Sequence, residues 1–235
     1  EVYPRSRLRR TLTILGVLVA ALELEPVVLW AEPDYIVGGT LHPNDPDYNN
    51  PALVYAPQQI NAEGGWDVTT GSTSVVVAVV DSGVSFTHPE FAQTHFLPGY
   101  DFVNNDNDPS DDNGHGTHVT GILAATLNNG QGIAGIAPGV SILPVKVLNT
   151  SCSGTWADIA NGITYAVDQG ADIINLSIAR PIGSQILEAA IVYAAAHDVL
   201  VVTGTGNTGT NAPFYPAFYP ETFATGATDA SGQVW

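Results

Sequence analysis

Short runs of continuous apolar residues alternate along the chain with amphipathic stretches. The runs at residues 75–80, 141–148, 171–177 and 199–203 are rich in β-branched side chains and predict strands that are buried on both faces. The stretches at residues 117–127, 155–169 and 184–197 show helical periodicity. This alternation predicts an α/β fold with a doubly wound, mostly parallel sheet and helices on both faces.

The first predicted strand ends in a carboxylate. Asp81 follows the run Val75-Val-Val-Ala-Val-Val80 and begins the motif Asp81-Ser82-Gly83. Doubly wound sheets bind their ligands at the carboxyl ends of strands, where Ser177 and Asn207 are also predicted to lie. An isolated Asp-Ser-Gly often only caps a turn, so the motif needs a partner before it indicates chemistry.

A histidine flanked by glycines supplies that partner. His115 lies in Gly114-His115-Gly116-Thr117-His118, at a predicted helix start where glycines allow a close approach of backbone and substrate. Asp81 followed by His115 matches two members of a nucleophilic triad in the order Asp, His, Ser. A metal site made by His115 and His118 is the alternative. It lacks the glutamate and the i+4 spacing of helical zinc proteases, so His118 is interpreted as structural.

The charge of the chain argues against nucleic acid as a partner. The 235 residues carry a formal net charge of −17, and four of the six basic residues lie within the first ten positions. An acidic surface suits a secreted, extracellular protein, although a solubilising excess of charge explains it equally well. The single cysteine, Cys152, excludes an internal disulfide, so stability must come from the core and from any bound cations.

Residues 1–38 are predicted to lie outside the catalytic domain, which comprises residues 39–235. Their basic start and the apolar run of residues 11–22 imitate a signal sequence, but the run continues into Glu23-Leu-Glu-Pro26 without a small-residue cleavage site. We interpret the segment as the carboxyl-terminal remnant of a propeptide, with a signal-like segment as the alternative. The run is too short for a transmembrane helix, so no stable membrane anchor is expected.

Several motifs resemble those of the subtilisin-like serine proteases, most of all the thermitase branch. They are Val79-Val-Asp81-Ser-Gly83, Asn113-Gly-His115-Gly-Thr-His118, Ile174-Asn-Leu-Ser177 and Gly206-Asn207, in the family's order. The likeness runs from about Leu41 to Trp235. It implies a subtilisin-like fold and a calcium-stabilised serine endopeptidase that acts on polypeptides. It further implies a secreted, monomeric protein made as a proenzyme, with its own propeptide as inhibitor.

The resemblance implies a role for each matching catalytic residue. Asp81 orients His115, His115 acts as general base and then as general acid, and the side-chain amide of Asn207 stabilises the oxyanion. The family's serine lies in a Gly-Thr-Ser-Met-Ala-like segment, and no such string occurs in the 235 residues. The serine is therefore predicted to lie beyond Trp235, in a catalytic domain that is incomplete and truncated at its carboxyl terminus. Residues 1–235 alone are predicted to be inactive.

The resemblance also places a cleft in which an extended peptide pairs with backbone segments. The matching residues are Ser153, Gly154, Ser177, Ile178, Ala179, Gly204, Thr205 and Gly206. Ala179 and Arg180 stand where relatives usually have two glycines, and Cys152 stands where another glycine is common. The Cβ of Ala179 is expected to narrow the primary pocket. Arg180 either favours acidic substrates or points to solvent.

Calcium is the predicted cofactor, because clustered oxygen ligands suit a hard cation. One site implied by the resemblance combines Asp45, Glu90, Thr126, Asn129, Gln131 and Ile133, with Glu90 in place of the more usual aspartate. The other combines Asp101, Asn104, Asp106, Asp108 and Ser110, whose carboxylates repel one another unless a cation neutralises them. A solvated acidic loop is the alternative for the second site.

Two other functions compete with a protease. A catalytically inactive relative would retain calcium and peptide binding. A nucleotide-binding α/β domain is suggested by Gly204-Thr-Gly206-Asn-Thr-Gly209, which fits the dinucleotide fingerprint G-x-G-x-x-G. The three prolines within residues 210–220 argue against the helix that such a site needs.

Overall fold

The computed structural model describes residues 41–50 and 52–234. The interpretations of residues 1–38, as a propeptide remnant or a signal-like segment, lie outside the described residues. The fold described below belongs to the unit Thr40–Trp235.

A sheet of seven strands, all paired in parallel, forms the centre of the described chain. The strands are β1 (Val76–Asp81), β2 (His95–Phe96), β3 (Tyr100–Asp101), β4 (Ser141–Lys146), β5 (Ile173–Leu176), β6 (Leu200–Gly204) and β7 (Thr222–Thr225). Their order in the sheet is β2-β4-β1-β5-β6-β7, and β3 also pairs with β4. The catalytic candidates therefore follow strands whose carboxyl ends lie on one edge of the sheet.

Strand β1 lies between β4 and β5, and its side chains point alternately into two hydrophobic clusters. Ala78 and Val80 pack in the larger cluster, whereas Val77 and Val79 pack in the smaller one. A strand covered on both faces needs apolar residues at every position, which explains the continuous run in the sequence. The register pairs Asp81 with Lys146 at the ends of β1 and β4.

Helices cover both faces of this sheet. They are α1 (Ala56–Gln59), α2 (Ala62–Trp66), α3 (His115–Ala124), α4 (Trp156–Asp168) and α5 (Gln185–Ala196), with a 3-10 turn at Pro89–Phe91. Ile163 of α4 and Ile191 of α5 pack in the larger cluster, and Ala124 of α3 packs in the smaller one. The predicted doubly wound α/β fold is confirmed. No helix in the described residues is both long and apolar enough to span a bilayer.

The boundaries of α3 differ from the predicted range of 117–127. The helix begins earlier, at His115, because a polar cap before it satisfies its first N–H groups, as described below. It ends earlier, at Ala124, because the N–H of Thr126 donates to the carbonyl of Glu90 (2.7 Å) and draws the chain away. The sequence pattern predicts none of α1, α2, β2, β3 and β7, since two to five residues are too few to show a period.

Candidate active site

Asp81 is fully buried at the carboxyl end of β1. Its backbone carbonyl accepts hydrogen bonds from the N–H groups of Val147 (2.8 Å) and Leu148 (3.1 Å), just beyond β4. Its side-chain Oδ1 accepts one of 2.7 Å from the N–H of Ser82. Burial raises the pKa of Asp81, while the hydrogen bond and charge of His115 oppose that shift. The segment after β4 thus fixes the backbone of Asp81, and the N–H of Ser82 orients its carboxylate.

His115 meets Asp81 across a sequence separation of 34 residues. Its Nδ1 lies 2.7 Å from Oδ1 of Asp81, and 38% of the His115 side chain is exposed against 0% for Asp81. An ionised carboxylate can only accept hydrogen bonds, so the proton of a neutral ring lies on Nδ1. The other ring nitrogen, Nε2, is then free to act as a base.

The carboxylate of Asp111 caps the start of α3. Its Oδ1 accepts hydrogen bonds from the N–H groups of Asn113 (3.0 Å) and Gly114 (2.9 Å). Its Oδ2 accepts them from the N–H (2.9 Å) and hydroxyl (2.5 Å) of Thr117. Partial burial acts to raise the pKa of Asp111, but these hydrogen bonds outweigh it and lower the pKa. Gly114 adopts a φ of 107°, a region that glycine reaches without strain, and His115 follows as the first helical residue.

Ser82 and Gly116 join the strand to the helix. The hydroxyl of Ser82 accepts a hydrogen bond from the N–H of Gly116 (2.9 Å) and donates one to Asp111 Oδ1 (2.9 Å). A Cβ on Gly116 would lie 2.2 Å from the carbonyl oxygen of Gly83, so this close contact requires glycine. The motifs around Asp81 and His115 are therefore one packed unit.

A groove of about 920 Å³ opens beside His115. Asn207 and seven of the eight predicted cleft residues line it: Ser153, Gly154, Ser177, Ile178, Ala179, Gly204 and Gly206. The eighth, Thr205, lies outside the lining, and its N–H donates to the carbonyl of Thr225 (3.0 Å). Exposed Arg180 also lines the groove. The structure therefore brings His115, Asn207 and most of the predicted cleft together.

Phe214 is a groove residue that the sequence reasoning missed. A Cβ on Gly206 would lie 3.1 Å from Cγ of Phe214, so the half-buried ring packs directly against the residue before Asn207. Two backbone hydrogen bonds between Arg180 and Tyr215 (3.0 and 2.7 Å) fix the segment that carries it. An aromatic residue among prolines is equally typical of ordinary packing, so the sequence contains no distinct signal for this role.

Lys146 was missed as well, although its signal is a lysine within an apolar run. Its side chain is 1% exposed. Its Nζ donates hydrogen bonds to the carbonyl oxygens of Ser82 (2.7 Å) and Leu148 (3.0 Å) and to Oδ1 of Asp112 (2.6 Å). A buried ammonium thus lies beside the end of β1, the strand that carries Asp81.

Cys152 lines the groove, but its surroundings do not activate the thiol. Burial, followed by the negative charges of Asp81 and Asp111, raises the pKa of Cys152. A thiol with a raised pKa stays protonated at neutral pH and is a weak nucleophile. Cys152 is therefore a poor candidate for a nucleophile at this site.

Two buried carboxylates, Asp45 and Glu90, meet at the loop of residues 126–133. Asp45 accepts hydrogen bonds from the N–H groups of Asn128 (2.9 Å) and Asn129 (3.1 Å), and Glu90 accepts one from the side-chain amide of Asn129 (3.2 Å). A Cβ on Gly132 would lie within 1.9 Å of Glu90 Oε1, so this glycine leaves room for the longer side chain. The described residues provide no ion-pair partner for Asp45 or Glu90.

The acidic loop holds its own turns with its carboxylates. Buried Asp101 accepts hydrogen bonds from the N–H groups of Val103 (2.7 Å) and Asn104 (3.0 Å). Asp106 accepts one from the N–H of Asp108 (2.9 Å), and Asp108 accepts one from the N–H of Ser110 (3.2 Å). Both Asp106 and Asp108 are exposed. Nowhere in the described ranges do three or more His, Cys, Asp or Glu side chains form a metal-binding group, so either candidate site needs amide and carbonyl oxygens as well.

The dinucleotide-like glycines after β6 do not begin a helix. In the described chain, residues 205–221 form turns and irregular structure, and the next regular element is β7. A pyrophosphate needs the N–H groups of a helix start at that point. The nucleotide-binding alternative therefore has no site here.

Comparison with known proteins gives consistent matches. A family model described as the subtilase family matches residues 72–235. A thermophilic serine proteinase of Bacillus sp. strain AK1 is 45% identical over 212 residues, which cover 90% of this chain and 52% of that protein. Thermitase of Thermoactinomyces vulgaris is 48% identical over 187 residues, or 80% of this chain and 66% of that protein. The chain thus spans about half to two thirds of the length of these two relatives.

Proposed function

Since the chain belongs to the subtilase family, we propose that the protein is a thermitase-like serine endopeptidase that acts through an Asp–His–Ser triad. The observation that carries the proposal is the 2.7 Å contact between Asp81 Oδ1 and His115 Nδ1 at the edge of the groove. Asn207 lines the same groove. The third member is a serine of the full-length protein, in the segment that the family resemblance implies.

In the proposed reaction, Nε2 of His115 takes the proton of the serine as its oxygen attacks the peptide carbonyl. Nε2 then returns this proton to the leaving amine. Asp81 keeps the ring in the required tautomer and stabilises the imidazolium that forms. The side-chain amide of Asn207 donates a hydrogen bond to the oxyanion.

Substitution of each member in the full-length protein tests the proposal with a fluorogenic peptide. Asp81→Asn keeps the shape but changes the tautomer, so we expect turnover to fall by about 10⁴-fold. His115→Ala should lower turnover by at least as much. His118→Ala is the matched control, because His118 is exposed three residues along the same helix and should leave turnover unchanged. Normal turnover in His115→Ala contradicts the proposed triad.

Residues 1–235 contain no Gly-Thr-Ser-Met-Ala-like string, so we propose that this polypeptide alone is inactive. Loss of the serine costs about 10⁶-fold in turnover, a value measured for subtilisin. Casein hydrolysis by purified residues 1–235 that persists in His115→Ala would identify a contaminant. Hydrolysis that disappears with His115→Ala would show that these residues suffice and would refute the inactivity.

We propose that Asp45 and Glu90 hold a calcium ion with oxygens of residues 126–133. The support is chemical, because two buried carboxylates without a cationic partner are costly unless a cation neutralises them. Bound calcium stabilises the folded state by mass action. We expect the thermal midpoint to fall on chelation in the wild type and to respond much less in Asp45→Asn. Glu221→Gln, an exposed change of equal charge, should respond like the wild type.

The second proposed calcium site is the acidic loop of residues 101–110. Asp106 and Asp108 are exposed, and a cation bound there would reduce the repulsion between their carboxylates. Because Asp111, which caps α3, follows a few residues later, the cation would also restrict the motion of that cap. Calcium titration of Asp106→Asn by calorimetry tests this, because one class of binding event should disappear. An unchanged stoichiometry would leave a solvated loop as the correct interpretation.

The proposed substrate is an extended polypeptide with a small side chain in the primary pocket. Ala179 and Phe214 line the groove, and we expect the Cβ of Ala179 and the Phe214 ring to exclude large substrate side chains from the pocket. Exposed Arg180 favours an acidic group nearby. A peptide library cleaved without preference for small or acidic residues would contradict this specificity.

We further propose that the protein is secreted, monomeric and inhibited by its own propeptide, on the basis of the family resemblance. Detection of activity in the culture medium tests secretion, and size-exclusion chromatography tests the oligomeric state. A synthetic peptide of residues 1–38 should inhibit the full-length enzyme. Absence of inhibition at saturating peptide would refute the propeptide role.

A further inference from the structure

Lys146 places a positive charge inside the sheet, where few charges are found. Its side chain is 1% exposed, and it lies at the end of β4 beside Asp81 in the strand register. Removal of an ammonium from water is costly, and an apolar side chain of similar volume is often as stable or more stable at such a position. Stability alone therefore does not explain a lysine here.

The three partners of Lys146 belong to three different segments of the candidate site. Ser82 follows Asp81, Asp112 belongs to the loop before His115, and Leu148 lines the groove. All three donors of the ammonium are used, at 2.7, 2.6 and 3.0 Å. One side chain thus connects the end of β1, the loop before α3 and the groove wall.

On the basis of the proposed function, we propose that Lys146 is a positioning residue that holds the Asp81–His115 pair in register with the groove. Its ammonium acts through hydrogen bonds to Ser82 and Asp112 and makes none to the side chains of Asp81 or His115. Because the three acceptors point at one ammonium, their relative positions are coupled. Hydrogen-bonded neighbours carry this constraint to both members of the pair.

The connections on the Asp81 side run through Ser82. The Ser82 N–H donates to Asp81 Oδ1 (2.7 Å), and its hydroxyl accepts the N–H of Gly116 in α3 (2.9 Å). On the other side, Asp112 follows Asp111, whose carboxylate caps the helix that carries His115. Loss of the ammonium removes the hydrogen bonds to the Ser82 carbonyl and the Asp112 carboxylate together. The side chains of Asp81 and His115 can then move relative to each other, which weakens their hydrogen bond.

The test is the proton resonance of His115 Nδ1–H, which a strong hydrogen bond to a carboxylate moves far downfield. We would record it on the ¹⁵N-labelled 235-residue chain and assign it by its absence from His115→Gln. We expect Lys146→Met to lose or broaden the resonance and Lys146→Arg to retain it, since the guanidinium can still donate to all three acceptors. In the full-length enzyme, Lys146→Met should lower kcat by about 10²-fold with little change in KM.

A folded Lys146→Met chain with an unchanged resonance would overturn the inference. If Lys146→Met does not fold, Asp112→Ala decides, because Asp112 is half exposed and removal of its side-chain acceptor leaves the ammonium with two carbonyl partners. We expect that variant to weaken the resonance, and an unchanged signal would refute the role of Lys146. Absence of the resonance from the wild type would instead refute the Asp81–His115 pair and the proposed function with it.

Discussion

Gly116→Ala should loosen the contact between α3 and the end of β1. The new Cβ would lie 2.2 Å from the carbonyl oxygen of Gly83 and 3.2 Å from Cβ of Asp81. Contacts below 3.0 Å with backbone cannot be relieved by rotating a side chain, so the helix start must move. That movement shifts His115, the preceding residue, relative to Asp81.

Two effects of this substitution oppose each other. Alanine is favoured over glycine in a helix by at most about 1 kcal/mol, and less in a first turn. Overpacking against fixed backbone costs about 3 kcal/mol. We therefore expect a net loss of about 2 kcal/mol in the free energy of unfolding, or about 4–8 °C in the thermal midpoint for a domain of this size.

Gly121→Ala is the matched control within the same helix. Its Cβ would meet only Cδ1 of Ile133, at 3.9 Å, which is an ordinary contact. We expect this variant to be as stable as the wild type or more stable by up to about 1 kcal/mol. Urea and thermal unfolding followed by circular dichroism measure both variants. A Gly116→Ala chain as stable as Gly121→Ala would refute the reasoning from this contact.

Three further predictions concern single side chains. Burial, with the hydrogen bond to Glu63, raises the pKa of Tyr48 to about 12 from 10.0. A raised folded-state pKa gives stability that is present below pH 10 and is lost as the pH rises to about 12. The free energy of unfolding, measured with urea, should therefore fall less at alkaline pH in Tyr48→Phe than in the wild type. An equal fall in both chains would contradict this. Phe214→Ala should shift the kcat/KM ratio of large to small side chains upward by on the order of tenfold, and an unchanged ratio would show that the ring does not limit the groove. Asn207→Ala should lower kcat about 10²- to 10³-fold, as known from subtilisin, with KM nearly unchanged, whereas a rise in KM alone would assign Asn207 to substrate binding.

Local sequence pattern predicted the long elements and the two central catalytic candidates. The apolar run before Asp81 indicates a strand because both faces of β1 are buried, and that requirement is visible in consecutive residues. The glycines around His115 indicate a helix start because a positive φ at Gly114 and a close contact at Gly116 both require glycine. These constraints act within a few residues, so the sequence shows them directly.

The sequence could not show which distant residues complete the site. Asp111 resembles any residue of an acidic loop until its carboxylate is seen to cap α3. At the proposed calcium site, Glu90 stands where the family resemblance leads us to expect an aspartate. Only the structure shows that Gly132, which lacks a Cβ, leaves room for the longer glutamate side chain.

By itself, the sequence determined that strands and helices alternate and that Asp81 and His115 fit two members of a nucleophilic triad. It also determined that the chain resembles the subtilisin-like proteases. The tertiary structure decided that these two residues meet, that Phe214 lines the groove and that Lys146 joins three segments. The physical reason is range. Secondary structure depends on neighbours a few positions apart, whereas the strand order β4-β1-β5 depends on pairing between segments tens of residues apart, which no local period encodes.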